Sequence, residues 1–312
     1  MSGVLERTLA LLERLATDVG GVPLATLADD LGMPRSAAHR LLTDLAAAGY
    51  VRQVRERGHY VLTTKLISLG LNYLKHSGVV DLTQPVMDRL AEAAGELVRL
   101  GVVDVDHITW MGLSQGATSG LRYDPDHGID VKLSCTASGH IWLSTLPEDD
   151  AIALLTRQGL GSPTQYGPNA PTSIQAVMKG VRQARKQGYA IAVDTYARGL
   201  ASVSTTIMVP GRGAVGVLAM SGPSVRMTEE KMAKWAPQLM ATAAEIAAAS
   251  AASPLFQRAW AKGEPNAEGH ERGGRGERGR SGERGAADAR GERVARSEAA
   301  RARKPALVAR RT

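Results

Sequence analysis

The sequence predicts an α+β protein in four parts: an N-terminal winged helix-turn-helix, a linker helix, an antiparallel sheet with packed helices, and a disordered tail. Three observations carry this. Leu24 to Leu62 reads as two short helices, a tight turn and a hairpin. Beyond Glu96 the apolar period changes from that of helices to that of strands. Beyond residue 253 the chain becomes rich in Gly, Arg, Glu and Ala and loses nearly all apolar content. The expected boundaries are 1–63 for the head, 64–78 for the linker helix, 79–253 for the second domain and 254–312 for the tail.

The elements follow in order. Ser2 to Thr17 reads as a helix with Leu5, Leu9, Leu12 and Ala16 on one stripe, ended by Gly20-Gly21, and Val22-Pro23 leads into the next helix. Gly32 turns the chain, Pro34 suits a first helical position, and Gly49 suits a left-handed end. The helix between them, Pro34 to Ala48, has two opposed stripes. Ala38, Leu41, Leu42 and Leu45 form an apolar face, while Ser36, His39, Arg40 and Thr43 form a polar one beside Arg35 and Ala37. Tyr50 to Val54 and His59 to Leu62 make a hairpin with Arg52 on one strand and Arg55 and Arg57 at its tip.

The polar stripe holds donors and acceptors of the kind that meet base edges and phosphates in double-stranded DNA. A solvated helix face with no partner is the plain alternative. Charge separates them by position rather than by sum. Residues 1–62 hold seven Lys+Arg and seven Asp+Glu, yet Arg35, Arg40, Arg52, Arg55 and Arg57 cluster on the helix and hairpin against only Asp44 and Glu56. Local segregation of this kind steers a protein to a phosphate backbone. Two such heads on a two-fold dimer imply a palindromic operator.

Lys65 to His76 has helical period and stops at Ser77-Gly78, and Met87, Leu90 and Ala94 mark a further helix ending at Gly95. Leu97–Val103 and His107–Met111 read as a hairpin. Val131–Leu133 reads as a short strand, Ser138–Leu146 and Asp149–Gln158 as helices, and Ser173–Gln187 as a long amphipathic helix. Strands follow at Tyr189–Asp194, Ser202–Val209 and Ala214–Ser221. A last helix starts after Thr228, with Glu229 and Glu230 in its first turn and a kink expected at Pro237.

Composition bounds the function. The 312 residues are 44% hydrophobic, enough for two cores, and no run of about 18 apolar residues points to a membrane span. The N-terminus has no signal-peptide pattern, and the single cysteine, Cys135, fits a reducing cytoplasm. Of the formal charge of +7, residues 261–312 supply 14 Lys+Arg against 8 Asp+Glu, so basicity belongs to the tail; a solvated tail with no role is the plain reading, and weak, salt-sensitive affinity for nucleic acid through its Arg-Gly steps is the other.

Chemistry of other kinds is poorly supported. Cys135 near His140 is a conceivable nucleophile pair, but no third group orients them. Cys135 as a redox sensor stays open. Asp106, His107, Asp124, Asp126 and His127 match no metal-ligand spacing, and a glycine-rich phosphate loop is absent, so no catalytic residue, metal or cofactor is assigned.

Several short runs, in order, carry a family resemblance over residues 3–252. They are Gly32-Met33-Pro34-Arg35-Ser36-Ala37-Ala38-His39-Arg40-Leu41-Leu42, Ala48-Gly49-Tyr50-Val51, Leu121-Arg122-Tyr123-Asp124-Pro125, Thr136-Ala137-Ser138-Gly139-His140, Gln187-Gly188-Tyr189-Ala190 and Ser221-Gly222-Pro223. The chain resembles the IclR family of bacterial transcription regulators. The resemblance implies a GAF-like effector domain, a homodimer often paired into a tetramer, and DNA affinity set by a small molecule. It implies an effector pocket at Ser138, Gly139 and His140 and on the last three strands, with Ala192, Asp194, Ser202, Ala219 and Ser221 at pocket positions. Ala192 and Ala219 stand where polar groups are common in the family, which points to an organic acid with an apolar or aromatic body, packed on Trp110, Met111 and Met220.

Overall fold

In the computed structural model, residues 3–54, 58–123, 130–160, 164–250 and 253–257 are described. The first helix, α1 (Val4–Ala16), buries Leu11 and Leu15. Strand β1 (Val22–Pro23) follows, then α2 (Leu24–Asp30), α3 (Arg35–Ala47), β2 (Val51–Val54) and β3 (His59–Leu62). The apolar stripe of α3 is its buried face: Ala38, Leu41, Leu42 and Leu45 pack with Leu11, Leu15, Leu27, Val51 and Tyr60 in one cluster. Val22-Pro23 is more than a lead-in. It pairs antiparallel with Tyr60 and His59, giving a three-stranded sheet in the order β1-β3-β2.

Helix α4 (Thr64–Ser77) begins on the side chain of Thr63, which accepts from Lys65 N–H, and ends at Gly78 with φ 65°. Gly78 also starts α5 (Val79–Ala94), which the apolar period marks only from Met87 because Pro85 interrupts the pattern. The sheet that follows is antiparallel throughout, in the order β5-β4-β8-β7-β6. Its strands are β4 (Leu97–Asp104), β5 (His107–Gln115), β6 (Ala190–Val193), β7 (Leu200–Val209) and β8 (Gly213–Pro223).

Two apolar layers clothe this sheet. On one face Val98, Leu100, Val203, Leu218 and Met220 pack against α5 and α9 (Glu229–Ala249). On the other, Ile108, Ala192 and Val217 pack against α6 (Ala137–Leu143), α7 (Glu148–Gln158) and α8 (Ile174–Gln187). Thr228 caps α9 as its position predicts, and the helix runs on past Pro237.

Three expectations need correction. Val131–Leu133 is not a strand: Val131 N–H donates to the Ile108 carbonyl and Leu133 N–H to the Gln158 side chain, so no ladder forms. The alternation in that stretch records two side chains entering the core, both essentially buried, rather than strand pairing. The helix at Ser138 stops at Leu143, three residues short of Leu146. The tail does not begin at 254, for Pro254–Gln257 forms α10 and Phe256 is 2% exposed in the α9 layer. Ser253 Oγ, which donates to the Ser77 carbonyl, and Arg212, which donates to the Phe256 carbonyl, fasten this turn. The rest of the expected tail, and the hairpin tip with Arg55 and Arg57, lie outside the described residues.

Candidate nucleic-acid interface and ligand cleft

With its apolar stripe buried, α3 turns the other stripe outward. Arg35, Ser36, His39, Arg40 and Thr43 are exposed and Ala37 is half-buried. Arg35 lies 3.9 Å from Asp29 in an exposed pair, and the Thr43 hydroxyl donates to the His39 carbonyl, so it is engaged within the helix. Arg52 projects from β2 and is exposed. The start of α3 has no side-chain cap and no acidic residue in its first turn, so the positive end of the helix is not offset there, while Ala37 and Ala38 N–H donate to the Pro34 carbonyl.

The C-terminal end of α3 is tied to α4. Thr63 donates through N–H to the Tyr50 carbonyl and through Oγ1 to the Gly49 carbonyl, at 2.9 and 2.6 Å. Lys65 Nζ donates to the Ala48 carbonyl and lies 4.4 Å from the centre of the Tyr50 ring.

In the second domain, a small cleft of about 50 Å³ opens between the α6 face of the sheet and the loops around it. Of the residues expected at an effector site, Trp110, Ser138, Ser202, Ala219 and Ser221 line it. Strand pairing explains their meeting: Ser202 is opposite Ser221, and Arg99 on β4 is opposite Ala219. Ser138 Oγ is 3.1 Å from Ser204 Oγ, which itself donates to the Leu218 carbonyl.

The remaining expected residues are elsewhere. Met220 neighbours Ala219 and Ser221, so the two-residue period of a strand turns it to the α9 layer, where it is fully buried. Met111 is the extra residue of a bulge: Leu100 pairs with Gly112 and Gly101 with Trp110, and Met111 packs with the α9 layer as well. Ala192 is buried against the helices. Asp194, at φ 55°, closes a turn by accepting from Gly199 N–H.

Gly139 and His140 serve structure. The N–H of Gly139 donates to Thr136 Oγ1, so the short helix α6 is already capped rather than open to an anion. A Cβ on Gly139 would sit 2.3 Å from the Leu133 carbonyl oxygen. His140 is 8% exposed, donates from Nε2 to the Ser134 carbonyl and packs on Gly180. Its bond to Ser134 and its burial separate it from any work with Cys135. That thiol is fully buried, and desolvation pushes its pKa up to about 11, which favours its protonated form at neutral pH. Among the described residues no cluster of His, Cys, Asp or Glu could hold a metal ion, and no helix is long and apolar enough to cross a membrane.

Sequence reasoning missed Arg99, Lys132, Thr136 and Tyr196, which line the same cleft. One signal was available: Arg99 is the single charge in the apolar run Leu97–Val103. A larger cavity, of about 820 Å³, lies at the other end of the sheet beneath α4, lined by Tyr73, Leu74, Val102, Trp142, Met208 and Leu255 among others. Trp110 lines both spaces.

A helix-turn-helix head with an outward polar face, joined by a helix to a mixed α/β domain, defines a DNA-binding transcription regulator. Two family models match: the IclR helix-turn-helix domain over residues 4–55, and the bacterial transcriptional regulator IclR C-terminal domain over residues 71–248. The acetate operon repressor of Salmonella typhimurium is 31% identical over 243 residues, 78% of this chain and 88% of the repressor. The transcriptional repressor IclR of Escherichia coli K12 is 29% identical over the same shares. Solved structures agree in fold. An IclR transcriptional regulator from Alicyclobacillus acidocaldarius superimposes with a TM-score of 0.67 at 21% identity, covering 78% of this chain and 98% of its own. An IclR homologue from Microbacterium hydrocarbonoxydans, complexed with 4-hydroxybenzoate, gives 0.66 at 19% identity, covering 80% and 100%.

The chain belongs to the IclR family of bacterial transcription regulators. Members of this family are regulators rather than enzymes.

Proposed function

We propose that the head is a winged helix-turn-helix that reads a palindromic operator as a homodimer or tetramer, and that a GAF-like second domain binds a small organic acid which alters that reading. The observation that carries the DNA reading is α3 itself, buried along one stripe and exposed along Arg35, Ser36, His39 and Arg40. In this reading α3 enters the major groove, Thr43 and Ala37 border the contact, and Arg52, Arg55 and Arg57 follow the flanking backbone from the wing.

Dimerisation is supported by exposed apolar side chains that a lone subunit leaves wet. Val4, Leu5 and Leu9 on α1 and Ile67, Leu69 and Leu71 on α4 are each at least 48% exposed. The acid is supported by the cleft, whose lining holds two cations, three serines and one carboxylate, Asp130, and by the acid bound to the Microbacterium homologue. The cleft holds about 50 Å³ and has neither Met111 nor Met220 on its wall. The protein is expected to work in the cytoplasm, where its operator is.

Fluorescence anisotropy with the DNA upstream of the protein's own gene tests the reading. The full chain and a chain ending at residue 257 are compared at two salt concentrations. Competitor-resistant binding by both establishes operator recognition by the head. Binding by the full chain alone, lost at high salt, assigns the affinity to the basic tail and ends the reading.

A further inference from the structure

The cavity beneath α4 encloses about 820 Å³, far more than the cleft and within the range that holds a drug-sized ligand. Trp142 and Val102 are its most enclosed lining residues, and Trp110 and Met111 beside them are half-buried. Tyr73 on α4 and Met208 on β7 stand at its opening, 49% and 48% exposed. Of the described residues that line it, Asp104 and Arg212 carry charge. They are opposite in sign, both exposed, and Arg212 donates to the Phe256 carbonyl. The space therefore offers an occupant aromatic and apolar surface and no net charge.

Gly70 points the same way. It lies in the middle of α4, where glycine weakens a helix. A Cβ there would meet nothing within 4 Å and the backbone is not left-handed, so nothing within the subunit calls for glycine. Gly70 lines the cavity, and its missing side chain keeps the α4 side open.

We propose that this cavity is a second ligand site, distinct from the cleft, and that it takes a neutral aromatic molecule of about two to four rings. Ring faces and thioethers give such a body dispersion contact, whereas a charged group would be desolvated there without a partner. Tyr73 and Leu74 belong to α4, and Met111 and Met208 to the sheet, so one occupant touches both. It thereby biases the angle at which α4 leaves the sheet. That consequence rests on the DNA reading of the head; the site itself does not.

The full chain is titrated into dilute N-phenyl-1-naphthylamine, a neutral probe that fluoresces in apolar surroundings. A second titration uses 8-anilino-1-naphthalenesulfonate, which has the same rings and a negative charge. The expected result is saturable binding of the neutral probe, one per chain, with the sulfonate weaker by about tenfold or more. Equal affinity for both overturns the selection of a neutral body. Gly70→Trp has open space at its Cβ and fills the cavity, so it is expected to weaken the neutral probe by about tenfold or more, while Gly70→Ala leaves it unchanged. A folded Gly70→Trp that binds the probe within about twofold of the unaltered chain overturns the site. If Gly70→Trp does not fold, Met208→Glu at the exposed opening decides by the same thresholds. A signal that falls as the chain is concentrated means that a second copy fills the space, and it overturns the proposal. So does the absence of saturable binding up to about 100 μM chain. Bound probe is expected to change operator affinity by about fivefold or more. An unchanged affinity overturns the link to α4 and leaves the site in place. A chain that binds no operator with or without the probe overturns the DNA reading, and the link with it, but not the site.

Discussion

Lys65 Nζ donates to the Ala48 carbonyl at 2.6 Å, so the first turn of α4 closes the last turn of α3. The carbonyl groups at a helix end lack partners within the helix, and a cation there meets the negative end of the dipole. With the Tyr50 ring beneath the same ammonium, Lys65 joins Thr63 in tying the helix proposed to read DNA to the helix that leaves the head. Replacing Lys65 by alanine is expected to cost about 1 kcal/mol of stability. It is also expected to weaken operator binding, although Lys65 is off the outward stripe of α3. Urea unfolding and anisotropy measured together check this, and unchanged affinity would show that the latch does not position α3.

Arg40 is exposed in the middle of that stripe. If it makes a bidentate contact with a base, Arg40→Ala lowers operator affinity by about 1–3 kcal/mol and leaves the melting temperature as it was. Equal affinity in an anisotropy titration removes Arg40 from the reading face.

Cys135 is expected to be inert. With the thiol pKa at about 11, only about one part in a thousand is thiolate at pH 8, and the side chain is enclosed. Alkylation by iodoacetamide should therefore be slow in the folded chain and speed up in denaturant, and Cys135→Ala should bind operator normally. Rapid labelling of the folded protein would contradict the burial and reopen a redox role.

His140 links stability to pH. Burial pushes its pKa below the ordinary 6.5 and outweighs the opposite effect of the bond to Ser134. The unfolded chain therefore binds this proton more readily than the folded one. The stabilisation is complete above about pH 6.5 and is lost as pH falls through that value toward the depressed folded pKa. His140→Gln should flatten the fall in melting temperature between about pH 7.5 and 5.5, whatever it does to the temperature itself. Parallel curves for the two proteins would assign the acid sensitivity to other groups.

Gly139 is fixed by close approach. Any side chain there meets the Leu133 backbone, so Gly139→Ala is expected to cost about 1–3 kcal/mol, seen as a lower denaturation midpoint. A neutral substitution would mean that α6 can shift away from Leu133 at little cost.

The head was legible because its information is local. One helix carries both stripes of α3, and the ends at Pro34 and Gly49 are chemical signals within it. The hairpin period is equally local. The cleft was only half legible. Ser138, Ser202 and Ser221 followed from the family resemblance, but which neighbours share their wall depends on pairing between β4 and β8, strands more than a hundred residues apart. Met220 lies off both cavities, which alternation along a strand cannot reveal until one face is known, and Met111, shifted by a bulge, lines the larger cavity with Trp110 rather than the small cleft. Arg99 was overlooked although it is a lone charge in an apolar run, because its place beside the Trp110 ring depends on the ladder.

Gly78 ends α4 and begins α5, and its left-handed backbone is the one residue between them. The pair has the geometry of a rod on a pivot. Fourteen helical residues extend about 21 Å from that joint, so a turn of about 10° in its two torsions carries the far end through about 4 Å. That displacement is comparable to the spacing between successive base pairs, and a shift of one base pair is enough to take a paired head out of step with its half-site. Under the proposed reading, an effector that rocked this joint slightly would decide whether two heads fit one operator.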